Sequence, residues 1–193
     1  MPIRIALIYG TGEGQTEKIA DYIAEKFDDE DTHVESYEGK KLPEDFDLSR
    51  YDGVIIGASV HGGRYQKYIK EFIINHLEVL QTKPSVFFSV SLTESEEREE
   101  LRREVYDLVH KFLDDAGWKP VLIASFAGAV PFSQYGFIRR MIMRAIMRRR
   151  LDDVDTTRDY EYTDWASVDE FVKQFEATVS SWSAAQPGDR PQA

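Results

Sequence analysis

Residues 8–16 read "IYGTGEGQT". Three glycines and two threonines follow an apolar run, "IRIALIY" (3–9), and the loop from 10 to 16 carries no Lys or Arg. The run is short and continuous, the pattern of a strand buried on both faces. Beyond the loop, "TEKIADYIAEKF" (16–27) places Ile19, Ala20, Ile23, Ala24 and Phe27 on one helical face. The loop therefore joins a strand to a helix N-terminus, where free backbone N–H groups and the helix dipole favour an anion. Glycines let the backbone curl around that anion, and Thr11 and Thr16 add hydroxyl donors. A Walker loop needs G-x-x-x-x-G-K-[ST], and Lys is absent; a dinucleotide fingerprint needs G-x-G-x-x-G, whereas the spelling here is G-x-G-x-G. Neutral donors suit a terminal phosphate monoester. Leaving its charge uncancelled by nearby cations makes an attached ring harder to reduce. A Gly-rich turn without a ligand is the bland alternative.

The same alternation continues along the chain. "HVESYE" (33–38), "YDGVIIGAS" (51–59), "PSVFFSVSL" (84–92) and "KPVLIASFAGA" (119–129) read as strands. "QKYIKEFIINHLEVL" (66–80) and "TESEEREELRREVYDLVHKFLDDAG" (93–117) read as helices, the second with Thr93 as its N-cap and Gly117 at its end. "DWASVDEFVKQFEATVSSW" (164–182) is a last helix capped by Asp164, and "SAAQPGDRPQA" (183–193) reads as a disordered tail. Strands alternating with helices predict an α/β fold, a doubly wound parallel sheet covered on both faces, with one domain over 1–182 and an inserted basic segment at about 130–163. Ligands of such sheets sit at the carboxyl ends of the strands. The loops at 10–16, 59–65, 91–95 and 128–135 should all open there.

The strand, "GTGEGQT", the amphipathic helix and then "DGVIIGAS" together resemble the N-terminal half of flavodoxin-like FMN proteins. "VIIGASVHGGRYQKYIKEFI" (54–73), "SVSL" (89–92), "AGA" (127–129) and "YTDW" (162–165) are similar to the menaquinone-dependent protoporphyrinogen oxidases within that group. The likeness runs from Ile3 to about Trp182. It implies a five-stranded sheet of order 2-1-3-4-5 and FMN as cofactor. The phosphate would meet Thr11, Gly12, Glu13 (by backbone), Gly14, Gln15 and Thr16. The ring would lie between Ser59, Val60, His61, Gly62 and Gly63 on one side and Ser91, Leu92 and Thr93 on the other. One departure is the Glu-rich stretch after "SVSL", where that enzyme class is more often basic or polar. Another is Glu13, whose charge is unhelpful beside a phosphate and whose side chain is expected to point to solvent.

The implied activity is oxidation of protoporphyrinogen IX in two-electron steps, with menaquinone or another membrane quinone reoxidising the flavin. An electron-carrying flavodoxin is one rival, although it has no use for a long segment at 130–163. An NAD(P)H-driven quinone reductase is another, although no second Gly-rich loop is visible. His61 is a candidate proton relay, and Tyr65, Phe132 and Tyr135 are candidates to stack on a flat ring. No set of His, Asp or Glu has metal-ligand spacing, so no metal is expected.

Composition narrows the field further. The 193 residues include no cysteine, which rules out disulfides, thiol nucleophiles and cysteine-held metals. No apolar run reaches the ~20 residues of a membrane helix, and no signal peptide is expected, so the cytosol is the expected compartment. A net charge of −11 argues against nucleic acid as a partner. Against that background "QYGFIRRMIMRAIMRRR" (134–150) holds six arginines and no acid. On a helix, Phe137, Met141, Ile142, Ala145 and Ile146 share a face and Arg140, Arg144 and Arg148 line another, with Arg139 beside them. Such a helix could rest peripherally on the inner face of an anionic membrane, bind porphyrin propionates through Tyr135 and these arginines, or simply face the protein's own core.

Overall fold

The computed structural model describes residues 2–27, 31–95, 99–148 and 153–185. Strands β1 (Ile3–Gly10), β2 (Thr32–Glu38), β3 (Gly53–Ser59), β4 (Ser85–Ser91) and β5 (Leu122–Ala127) form one parallel sheet of order β2-β1-β3-β4-β5. Helices α1 (Gln15–Phe27), α2 (Lys67–Asn75), α3 (Leu77–Thr82), α4 (Glu99–Ala116) and, at the end of the chain, a helix over Trp165–Ala185 cover it.

The sheet is sealed on both faces, which explains why its central strands read as unbroken apolar runs. Ala6, Ile8, Ile56 and Phe87 point to one side, into a core with Ile69, Phe72, Val109 and Leu113 of α2 and α4. Ile5, Leu7, Ile55 and Phe88 point to the other, against Ile19 and Ile23 of α1 and Phe171, Val172 and Phe175 of the last helix.

Between β5 and the last helix the chain makes a short antiparallel pair, β6 (Ala129–Val130) with β7 (Tyr160–Glu161), flanking helix α5 (Phe137–Met147). The last helix is thus α6. Val130, Phe132, Tyr135, Met147 and Val154 form a separate small core under this connection. Asp164 caps α6 as expected, its carboxylate accepting from the Ala166 N–H (3.1 Å) and the Ser167 hydroxyl (2.6 Å).

Three sequence expectations need correction. The helix anticipated at 66–80 is two helices, because His76 leaves the helical region (φ −115°, ψ 15°) and turns its ring nitrogen Nδ1 to within 2.8 Å of the Phe72 carbonyl. Thr93 caps no helix: Leu92–Ser95 is a single 3₁₀ turn, whose Glu94 N–H bonds to Ser91 Oγ (3.2 Å), and α4 is helical from Glu99. The helix at the C-terminus runs on to Ala185, into the stretch expected to be disordered, whose remainder lies outside the described residues.

Candidate flavin site

At the carboxyl end of β1 the loop closes on itself. Gly14 N–H donates to Thr11 Oγ1 (2.9 Å), and Gly14, at φ +87°, hands its carbonyl to Lys18 N–H (2.9 Å) to start α1. The Thr16 hydroxyl faces inward at the first turn of α1; it is fully buried and has no hydrogen-bond partner. A buried hydroxyl left unpaired costs about 1–3 kcal/mol, so its retention points to a ligand that pairs with it. With the free N–H groups of the helix start beside it, the position suits an anion. The loop fits a phosphate monoester such as that of FMN, and Thr16 is its best-defined donor. The side chain of Gln15 is committed elsewhere, donating to Thr163 Oγ1 (2.8 Å) and Glu161 Oε1 (3.3 Å) on the chain leaving β7. Only its backbone remains for a phosphate.

The second loop is a two-residue hairpin. His61 N–H bonds to the Arg64 carbonyl (2.8 Å) and Arg64 N–H to that of His61 (3.1 Å), with Gly62 and Gly63 at φ +56° and +72° between them. Both central residues of such a turn need positive φ, which is why glycines stand there. Beyond each lies open space: a Cβ on either would meet nothing within 4 Å. Val60 N–H bonds to the Val90 carbonyl (2.8 Å), and Gly128 N–H to that of Ser91 (3.0 Å), so the ends of β3, β4 and β5 are fastened side by side. The Ser59 hydroxyl accepts from Gln66 Nε2 (2.6 Å) and is occupied in holding α2. His61, half exposed, lays its ring over the first loop, close enough that a Cβ on Gly12 would sit 2.2 Å from Nε2.

These loops bound a cleft of about 190 Å³. Thr11, Glu13, Gln15, Thr16, Ser59, Val60, His61, Ser91 and Leu92 line it as the sequence suggested, while Gly12, Gly14, Gly62, Gly63 and Thr93 do not border it directly. Val90, Gly128, Ala129 and Met143 border it without having been singled out, and Arg139, singled out for substrate or membrane, proves to be part of the same wall. Tyr65 is no stacking platform: its hydroxyl meets Ser89 Oγ (2.7 Å), its ring packs on Phe87 and Phe112, and burial pushes its pKa up to about 12. Phe132 is fully buried beneath the β5–α6 connection. Among the described residues, no group of three or more His, Asp or Glu side chains gathers to hold a metal.

Glu13 does not point to solvent. Its carboxylate accepts from the Tyr135 hydroxyl and from Arg139 Nη2, with His61 Nδ1 4.0 Å away. The Arg139 guanidinium lies over the Tyr135 ring, 4.6 Å from its centre. Burial, then the neighbouring carboxylate, raises the Tyr135 pKa well above the ordinary phenol value. The pair fixes α5 above the phosphate loop. The orientation of α5 also differs from a core-facing helix. Met143 and Met147 turn inward, together with Arg140, whose Nη2 donates to the Phe132 carbonyl (3.1 Å). The expected apolar face is instead outside: Phe137 is 79% exposed, Ile138 72%, Met141 59% and Ile142 55%, with Arg144 and Arg148 also exposed. Arg149 and Arg150 lie outside the described residues.

Comparison with known proteins accords with this geometry. A family profile described as a flavodoxin domain matches residues 6–157. A protoporphyrinogen IX dehydrogenase [quinone] of Leishmania major is 33% identical over 172 residues, 89% of this chain and 74% of that protein. Its namesake from Escherichia coli (strain K12) is 29% identical over 172 residues, 89% of this chain and 94% of that protein. Among solved structures, a flavodoxin of Streptococcus pneumonia TIGR4 superimposes with a TM-score of 0.50 at 16% identity, covering 92% of this chain and 98% of that one. That likeness speaks for the fold alone. With a family match over most of its length and a relative at 33% identity, the chain belongs to the flavodoxin-domain family that includes the quinone-linked protoporphyrinogen IX dehydrogenases.

Proposed function

We propose that the protein is an FMN-dependent oxidoreductase that takes electrons from protoporphyrinogen IX and delivers them to a quinone, menaquinone in particular. The observation that carries the flavin reading is the buried, unpartnered Thr16 hydroxyl at the start of α1. The substrate and acceptor rest on the names of the relatives in Leishmania major and Escherichia coli. When bound, FMN supplies the two-electron chemistry. The chain's own residues do the rest. Thr11, Thr16 and the loop amides hold the phosphate. Ser59 and Val60 on one side and Ser91 and Leu92 on the other bound a slot for a flat ring, with the Gly62–Gly63 turn just beyond it. His61 stands at the mouth, where an imidazole can hold or pass a proton.

The exposed face of α5 supports a peripheral position on anionic lipid. Phe137, Ile138, Met141 and Ile142 offer a contiguous apolar strip, flanked by Arg144 and Arg148 in a chain of net −11. No helix among the described residues is long and apolar enough to cross a membrane, so contact with a lipid-dissolved quinone would come from such a surface helix. An electron-carrying flavodoxin is the second reading, but α5 roofing the cleft with Arg139 and Met143 gives this site walls a simple carrier does not need.

Purified protein should carry one FMN per chain and be bleached anaerobically by protoporphyrinogen IX. Stoichiometric FAD, or bleaching only by NAD(P)H, would contradict the reading. Co-sedimentation should show binding to anionic vesicles that weakens with salt and is lost in Met141→Asp. Equal, negligible binding to anionic and neutral vesicles would remove the membrane position.

A further inference from the structure

We propose that α5 is a gate over the flavin cleft and that Glu13 is the latch that holds it shut. The inference rests on the cleft being the FMN site. Its geometry is independent of substrate or membrane.

As it stands, the cleft holds about 190 Å³. Arg139 and Met143 form the side of the cleft contributed by α5, so a flavin crossing that side passes when α5 swings outward and is held when α5 closes over it again. Three features of α5 suit a helix that moves. Its N-cap is Gly136, with no side-chain cap and no atom within 4 Å of where a Cβ would be, a hinge free of steric restraint. Its underside buries Arg140 Nε without a partner, which leaves its seat on the small core incompletely satisfied. Its outer face, with Phe137 79% and Ile138 72% exposed, packs little against the described residues.

What fixes α5 to the sheet side of the cleft is Glu13. Its carboxylate gathers the Tyr135 hydroxyl from just before the hinge and Arg139 from the first turn of α5. Glu13 sits between Gly12 and Gly14 in the phosphate loop, so the latch and the phosphate site share one backbone. This accounts for an acid where charge alone argues against one. Glu13 is a positioning residue: it acts on the flavin through α5.

The sign of the kinetic effect separates a gate from a contact. Removing a gate latch speeds entry and exit of FMN together and leaves Kd nearly unchanged. Removing a carboxylate that merely repels the phosphate slows exit and tightens binding.

The test uses Glu13→Ala and, because it leaves the phosphate loop untouched, Tyr135→Phe. FMN association and dissociation are followed by flavin fluorescence. The accessibility of α5 is followed by trypsin cleavage after Arg139, Arg140, Arg144 and Arg148, with and without FMN. Both variants are expected to raise the association and dissociation rates, by roughly tenfold in Glu13→Ala, and to speed cleavage within α5 but not within α1. Unchanged cleavage in α5, or tighter FMN with slower release, would overturn the proposal. If wild-type protein takes up no FMN, the cofactor reading falls, while cleavage of the apoproteins still decides the latch.

Discussion

The same trio of side chains occurs near both ends of β1. Near its start, Glu35 accepts from Arg4 Nη2 (2.8 Å) and from the hydroxyls of Tyr37 and Tyr51 (2.6 Å each), and Arg4 lies over the Tyr51 ring at 5.1 Å. Just past its end, Glu13 accepts from Arg139 and Tyr135, and Arg139 lies over the Tyr135 ring at 4.6 Å. Carboxylate, arginine and stacked tyrosine are alike. Their placement is not. The Glu35 group ties β1, β2 and the entry to β3, neighbours that the sheet already holds together. The Glu13 group spans a cleft, joining residues 122 and 126 positions apart on elements that share no strand ladder. One cluster fastens a frame. The other joins two parts that a ligand must pass between. Identical chemistry therefore contributes stability at the amino ends of the strands and control of access at the carboxyl ends.

The largest effect expected concerns Thr16, which has a partner in neither cluster. Thr16→Val removes a hydroxyl donor to a phosphate and should weaken FMN binding about 10- to 100-fold, the worth of a hydrogen bond to a charged group. The same change removes a buried unpaired hydroxyl, so the FMN-free protein should become slightly more stable. Isothermal titration and thermal melts of the apoprotein check the two signs. Weaker binding together with a lower apoprotein Tm would mean that Thr16 serves packing rather than phosphate.

Next comes the frame. Glu35→Ala leaves a guanidinium and two phenols without their acceptor and should cost about 2 kcal/mol, with FMN binding unaffected. Glu13→Ala should cost less than about 1 kcal/mol of global stability, as for other partly exposed ion pairs. Urea titration of both variants would break the comparison if the two losses were equal.

The smallest effect is the response to acid. Burial pushes the Glu35 carboxyl up, but hydrogen bonds from Tyr37, Tyr51 and Arg4 outweigh it and hold its pKa at about 2 against an ordinary 4.5. A carboxyl whose folded pKa is depressed contributes stability above its unfolded value, and that contribution is lost as pH falls from 4.5 towards about 2. Stability measured across this window should fall less steeply in Glu35→Gln than in the wild type. Equal slopes would show that other carboxylates dominate the acid response.

The frame was legible because its signals are local. "IRIALIY", "YDGVIIGAS" and "PSVFFSVSL" are apolar throughout since both faces of the sheet are covered, and the loops after them fall at one edge by topology alone. The phosphate loop was legible for the same reason, as spelling between a strand and a helix. What escaped lies in contacts between distant residues. The periodicity of α5 gives an apolar face but not the side its neighbours occupy, so Arg140 proved to be inside and Phe137 outside. The direction of Glu13 depends on Tyr135 and Arg139, which nothing near residue 13 announces. Thr93 looked like a cap because acids follow it, yet it lies inside the 3₁₀ turn Leu92–Ser95, which starts straight from the end of β4.

Turnover under anaerobic conditions tests the proposed function most directly. Purified FMN-loaded protein is mixed with protoporphyrinogen IX and a menaquinone analogue, and porphyrin fluorescence is followed. A rise that requires both the quinone and the bound flavin, and that disappears in FMN-depleted Thr16→Val, is the predicted result. FMN-loaded protein that forms no porphyrin above the rate without protein, whatever the quinone, would contradict it and leave an electron carrier in its place.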